Sequence, residues 1–198
     1  MFKQHLPIIL ASKSPRRQEL LKAMNIDFTL LLKEVDESYP ESLSPAEIAM
    51  YIAEKKAEAF APERVENIVI TADTIVALNG DILGKPKDAD DAVTMLNRLS
   101  GTRHQVYTGV SISHQQYMNT FFDVTEVFFR KLSADDIDFY VTNHHPFDKA
   151  GAYGIQDWIG LVAVDKIIGS YTNVMGLPTE KLYRALSDYV IPPSSGQK

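Results

Sequence analysis

The chain has 198 residues, 45% of them hydrophobic and 23% charged, which suits one globular domain with a sizeable core. A net charge of −6 argues against a broad nucleic-acid footprint, and the absence of cysteine excludes a disulfide framework, a thiolate zinc site and a cysteine nucleophile. No apolar run approaches the roughly 20 residues that span a bilayer, and the run from Leu6 to Ala11 is too short for a signal-peptide core. The expectation is a cytoplasmic protein with neither a membrane nor a nucleic-acid partner. A single domain is expected over residues 1–191, followed by a disordered tail over 192–198.

In chain order, Ile8–Ala11 reads as a short strand running into a helix that Ser14 caps and Pro15 opens, with Leu20, Leu21 and Met24 as its apolar stripe. Asn25 suits a left-handed cap at its end. Phe28–Leu32 reads as a second strand, followed by an acidic, turn-rich stretch from Lys33 to Ser42. Ser44-Pro45-Ala46-Glu47 is a capping box, which predicts a helix to about Phe60 that stops before Pro62. Ile68–Ala72 reads as a buried strand interrupted by Asp73-Thr74.

Asn79-Gly80 then predicts a hairpin between Ile75–Leu78 and Asp81–Leu83. Asp88 caps a helix carrying Ala92, Leu96 and Leu99, closed by Gly101. Gln105–Ser113 and Tyr117–Arg130 read as a long hairpin, and Ser133 to Asp136 as another capping box before a helix with Ile137, Tyr140 and Val141. Trp158–Ile168 reads as a strand and Pro178–Tyr189 as the last helix. Interleaved strands and helices with an antiparallel hairpin predict a mixed α/β sheet.

Several residues then stand out chemically. Arg16 and Arg17 occupy the first turn of a helix, where the helix dipole disfavours cations. A bound polyanion removes the conflict, because free backbone N–H groups and guanidinium forks both match phosphate oxygens. Adjacent helical residues diverge by about 100°, so the two arginines should serve different partners. Asp73, at the end of an apolar strand, needs a cation, a metal or donors, since an unpaired buried charge costs several kcal/mol. Lys85 in Gly84-Lys85-Pro86 is no Walker motif, because Pro stands where Ser or Thr would hold magnesium, yet it can still serve as a point charge toward phosphate. Gln156, in a small-residue and aromatic stretch from Pro146, offers both a donor and an acceptor to a base edge. Glu34, Asp36, Glu37 and Glu41 read first as a solvated loop face. The histidines have no metal-ligand spacing, so any metal should be of the magnesium or manganese type, held by carboxylates. Ser12 and Ser14 have no neighbouring His and no nucleophile elbow, which argues against a serine hydrolase; both are expected among the substrate-binding residues.

Five stretches, LASKSPRRQELL, ADTIVALNGDILGKP, LNRLSGTRHQVYTGV, FDKAGAYGIQ and GSYTNVMGLP, resemble in order the motifs of the Maf nucleoside triphosphate pyrophosphatases, also called septum formation proteins. The resemblance runs from about Ile8 to Leu186. It implies an elongated mixed α/β fold, two lobes around a cleft, related to the inosine triphosphate pyrophosphatases. GAYGIQ looks like the subfamily acting on dTTP and UTP. The resemblance further implies Asp73 as the catalytic acceptor, and Arg16, Thr74 and Gln156 as the positions that set substrate choice. Arg17, Glu37, Lys56 and Lys85 match further active-site positions. His145 and Asp157 depart from a Glu and a Gly common in the family. The expected reaction cleaves the α–β anhydride of dTTP or UTP, with Glu37 and Asp73 holding a divalent cation and Asp73 orienting or deprotonating water. The alternative is a nucleotide-binding regulator of cell division with incidental hydrolysis. Oligomeric state stays open, a homodimer being one option.

Overall fold

The apolar N-terminal run forms β1 (Ile8–Leu10), buried at all three positions and paired in parallel with both β2 (Thr29–Leu30) and β3 (Ile68–Leu78). The computed structural model describes residues 5–187, so the expected tail at 192–198 and the last residues of the predicted C-terminal helix lie outside the described residues. β3 continues through the Asn79-Gly80 turn into β4 (Asp81–Leu83), and both turn residues have the positive φ, 52° and 94°, that a tight hairpin requires. β5 (Arg103–His114) and β6 (Tyr117–Phe129) form the long hairpin, and β7 (Val164–Ile168) closes the sheet. Among the described residues the strand order is β2-β1-β3-β5-β6-β7, with β4 on β3. The sheet is therefore mixed, parallel only at β1.

The helices follow their caps. α1 (Pro15–Ala23) is followed by Asn25 at φ 54°, the left-handed position expected of it. α2 (Pro45–Glu58) and α4 (Ala134–His144) start on complete capping boxes, Ser44 with Glu47 and Ser133 with Asp136. α3 (Ala89–Leu99) starts on Asp88, whose carboxylate accepts from the Asp91 N–H. α5 (Trp158–Ala163), α6 (Tyr171–Met175) and α7 (Thr179–Ser187) complete the set.

Alternation along β3 divides the molecule. Ile68, Ile70 and Ala72 pack with Ile8, Leu10, Leu21 of α1 and Leu182 of α7. On the same face, Val76 and Leu78 belong to a second core with Leu96 of α3, Tyr140 of α4 and Ile159 of α5. The lobes meet at Thr74. The opposite face carries Ile75 against Ile48 and Ile52 of α2. α2 lies on the sheet at Gly109, which pairs with Asp73, and a Cβ on Gly109 would sit 2.3 Å from the backbone of Ala49. Thr71 locks the same contact by donating to the Ala53 carbonyl at 2.6 Å. Close approach of α2 therefore depends on a residue without a side chain, directly opposite Asp73.

Two expectations are corrected. Asp73-Thr74 does not interrupt the strand, because β5 pairs β3 without a break from Val69 to Ala77. Trp158–Ile168 is not one strand. Its first six residues form α5, entered from Asp157, and only Val164–Ile168 joins the sheet. A short apolar run without period fits either state, and here Trp158 packs on Phe139 of α4 at 4.7 Å between ring centroids.

Candidate active site

On one edge of β3, β1 covers Ile68–Ile70 and β4 covers Val76–Leu78, which leaves a gap in the sheet between them. Ile70 O still meets a strand partner, accepting from the Ala11 N–H at 2.9 Å. Two residues on, Ala72 O points the same way into the gap, where no strand among the described residues supplies a donor. Arg17 supplies it. Its guanidinium donates to Ala72 O at 2.9 Å and Ser12 Oγ at 3.1 Å through NH1, to Gly176 O at 2.7 Å through Nε, and to Thr74 Oγ1 at 3.0 Å through NH2. Four of five N–H groups thus serve protein acceptors on three segments, with the residue only 9% exposed. Burial lowers the Arg17 pKa from its ordinary value, an effect that Asp73 partly offsets and Arg16 reinforces. The two arginines do diverge, but Arg17 is a buried tie between segments. It brings charge to the cleft more than free hydrogen bonds.

The gap opens into a cleft of about 760 Å³, lined by all ten residues singled out from the sequence: Ser12, Ser14, Arg16, Arg17, Glu37, Lys56, Asp73, Thr74, Lys85 and Gln156. Lys13, Lys33 and Lys149 line it as well, which concentrates cations in a chain whose net charge is −6. Lys13 and Lys149 lie inside two of the motifs quoted above, and their charge was the signal available for them.

Of the carboxylates that line the cleft, Asp73 and Glu37 share one partner. Asp73, on the α2 face of β3, is 14% exposed and accepts from Lys56 Nζ at 2.8 Å. The same ammonium lies 2.9 Å from Glu37 Oε1, so one cation joins two carboxylates from distant segments. Desolvation raises the Glu37 pKa, but the Lys56 hydrogen bond and charge, helped by Lys85 and Arg17, outweigh it and hold the carboxyl below its ordinary range. The stabilisation this pairing gives is present above the ordinary Glu pKa and fades as pH falls through the lowered one.

Ser14 occupies the N-cap position of α1, yet its side chain makes no cap hydrogen bond, and its own N–H donates to Ser12 Oγ at 3.2 Å. The first turn of α1 also holds no acidic residue. Among the described residues no side chain caps its first N–H groups, and Arg16 stands beside them, which suits an anion. Arg16 itself meets Asp148 at 3.1 Å. The amide of Gln156 donates through Nε2 to Asp157 Oδ1 at 3.1 Å, while its Oε1 is buried without a hydrogen-bond partner among the described residues. An unpaired buried amide oxygen costs about 1–3 kcal/mol, which marks it as a place for a ligand donor.

Thr74 belongs to a second network. Its hydroxyl lies 3.0 Å from Thr108 Oγ1, which donates to Asn173 O at 2.9 Å, and the fully buried Asn173 amide donates to Val106 O and Thr125 Oγ1. The last motif, around GSYTNVMGLP, therefore clamps α6 onto the sheet so that its Gly176 carbonyl meets Arg17. No group of three or more His, Cys, Asp or Glu side chains is gathered to hold a metal among the described residues.

Among known proteins, the family model for Maf-like protein matches residues 7–189. A Flavobacterium psychrophilum protein named dTTP/UTP pyrophosphatase is 48% identical over 187 residues, covering 94% of this chain and 96% of its own. A Flavobacterium johnsoniae protein of the same name is 50% identical over 184 residues, covering 92% and 95%. Among solved structures, a HAM1 protein from Coxiella burnetii matches with a TM-score of 0.52 at 14% identity, covering 92% of this chain and 99% of that one, which shows a shared fold. With the five motifs lining or clamping one cleft, and a family match over almost the whole length, the chain belongs to the Maf family.

Proposed function

We propose that the protein hydrolyses dTTP and UTP to the nucleoside monophosphate and pyrophosphate in this cleft. The observation that carries the reading is the Asp73–Lys56–Glu37 cluster, set in a gap of the sheet beside the uncapped N-terminus of α1. Nearly half-identical relatives over more than nine-tenths of the chain, named for that activity, support it.

The triphosphate lies against Arg16, Lys85 and the first turn of α1, whose fixed charges favour the extra negative charge of the transition state. Lys56 stabilises the same charge from the α2 side and orients the Asp73 carboxylate. Asp73 takes a proton from water as the water oxygen bonds the α-phosphorus. The bond from that phosphorus to the bridging oxygen breaks, and pyrophosphate leaves. Gln156 meets the base, and Thr74 and Ser12 hold the backbone frame around Arg17.

A divalent cation fits the carboxylates. Asp73 and Glu37 are hard oxygen donors that converge on one ammonium, so they are the residues that would hold a magnesium or manganese ion there. With no third carboxylate or histidine gathered there among the described residues, its other ligands would be phosphate oxygens and water, as magnesium prefers. When bound it would neutralise phosphate charge and polarise water. The same reading makes the protein a cytoplasmic one that takes a small nucleotide, alone or as a homodimer, without nucleic acid or membrane.

The test is a pyrophosphate-release panel with dTTP, UTP, CTP, dATP, GTP and 7-methyl-GTP, with and without magnesium or manganese. UTP and dTTP should exceed every purine nucleotide in kcat/KM by at least about tenfold, equivalent to about 1.4 kcal/mol of barrier. Equal rates across the panel, or none, would sink the reading.

A further inference from the structure

The two ends of a carboxamide have nearly the same shape and opposite hydrogen-bonding sense, so a glutamine selects a base only if a neighbour decides which end faces it. Here the neighbour is the next residue. Asp157 Oδ1 takes one Nε2 hydrogen of Gln156 at 3.1 Å, and a carboxylate can only accept. Oε1 is then the end left over, buried and without a hydrogen-bond partner among the described residues, in a side chain that lines the cleft.

The carboxylate is itself held. Asp157 Oδ2 accepts from the Tyr140 hydroxyl at 2.7 Å and lies 3.7 Å from Lys149 Nζ. Tyr140 is fully buried, and its oxygen accepts the Gly154 N–H at 3.1 Å, which directs its proton toward Asp157. Burial, then the hydrogen bond to Asp157, raises the Tyr140 pKa far above its ordinary value, so the hydroxyl stays a donor. Asp157 stands at the N-cap of α5 but makes no cap hydrogen bond, so the helix does not require its carboxylate. Gly154 leaves room for the pair: a Cβ there would lie 2.6 Å from Asp157 Oδ2 and 2.8 Å from Gln156 Nε2.

We propose that Asp157 sets base choice by fixing the Gln156 amide with Oε1 toward the ligand, which makes the site complementary to the imide edge of uracil or thymine. This rests on the pyrimidine triphosphate reading above. The imide N–H donates to Oε1, and the second Nε2 hydrogen is left for an adjacent base carbonyl. Cytosine presents a lone pair where the imide has its N–H, so two acceptors face each other and cytosine is rejected. Asp157 is a positioning residue: it acts through Gln156.

The test compares kcat/KM for UTP and CTP in the wild type and in Asp157→Asn. The Tyr140 hydroxyl and Lys149 both favour oxygen at the Oδ2 position, which turns the new NH2 group toward Gln156. The Gln156 amide must then reverse and offer Nε2 to the base. The UTP-to-CTP ratio should fall by at least about tenfold, with kcat/KM for CTP rising in absolute terms. A merely structural role would lower both substrates together, and a ratio within about twofold of wild type overturns the assignment. If the variant does not fold, the wild type decides with 3-methyl-UTP, whose imide N–H is blocked. At least about a tenfold loss relative to UTP is expected, and equal turnover overturns the proposal. Wild-type protein that turns over neither UTP nor dTTP overturns the functional reading itself, a result distinct from UTP turnover with an unmoved ratio.

Discussion

Asp73→Asn is expected to lower pyrophosphate release from UTP by on the order of 10³-fold while the fold and its thermal midpoint change little. The substitution keeps the shape of the side chain, and the amide oxygen can accept the Lys56 hydrogen bond that Asp73 Oδ1 accepts now. What it removes is the capacity to take a proton from water, and one of the two carboxylates available to a divalent cation. Glu37 remains paired with Lys56, so the ammonium is not stranded. The discriminating observation is the pair of measurements together. Loss of turnover with an unchanged melting curve assigns Asp73 to chemistry, whereas near-normal turnover would remove it from that role.

The second large effect concerns the frame around the cleft. Arg17→Ala should destabilise the protein by about 3–5 kcal/mol, since it deletes a buried, four-bonded guanidinium. For a chain of this size that is a fall of roughly 6–20 °C in Tm. Ala72 O, on the open edge of β3, would lose its donor, and Gly176 O at the end of α6 would lose the tie to α1. Arg17→Lys should not rescue it, because one ammonium cannot reach acceptors in the directions that a planar fork serves at once. Thermal unfolding of the two variants checks this. A shift below about 2 °C would mean that Arg17 is a surface-like phosphate ligand and not a structural tie.

Much of the fold was legible because it is written locally. Both capping boxes, the Asn79-Gly80 hairpin and the left-handed Asn25 follow from residues within four positions of one another, and each holds. The misreadings share a cause in long-range pairing. Asp73 reads as a strand breaker until Lys56 of α2 is placed beside it and β5 pairs straight past it. Trp158–Ala163 carries no period that separates helix from strand, and its contact with Phe139 decides.

The site shows the same division. The conflict of two arginines with a helix dipole was visible in Ser14-Pro15-Arg16-Arg17, and it pointed to an anion. The acceptors that bury Arg17 lie 55, 57 and 159 residues away, apart from Ser12, so no local rule reveals that this arginine is a buried tie while its neighbour pairs with Asp148. Likewise, the donor and acceptor of Gln156 are visible in its chemistry, while the contacts around its amide, Asp157 held in turn by Tyr140 and Lys149, are not.

The most direct measurement is product analysis of UTP turned over by the wild-type protein with magnesium in ¹⁸O-labelled water. The account requires UMP and pyrophosphate in equal amounts, with the label on the α-phosphorus of UMP and none in pyrophosphate. UDP with labelled inorganic phosphate, or label in pyrophosphate, would contradict attack at the α-phosphorus in this cleft.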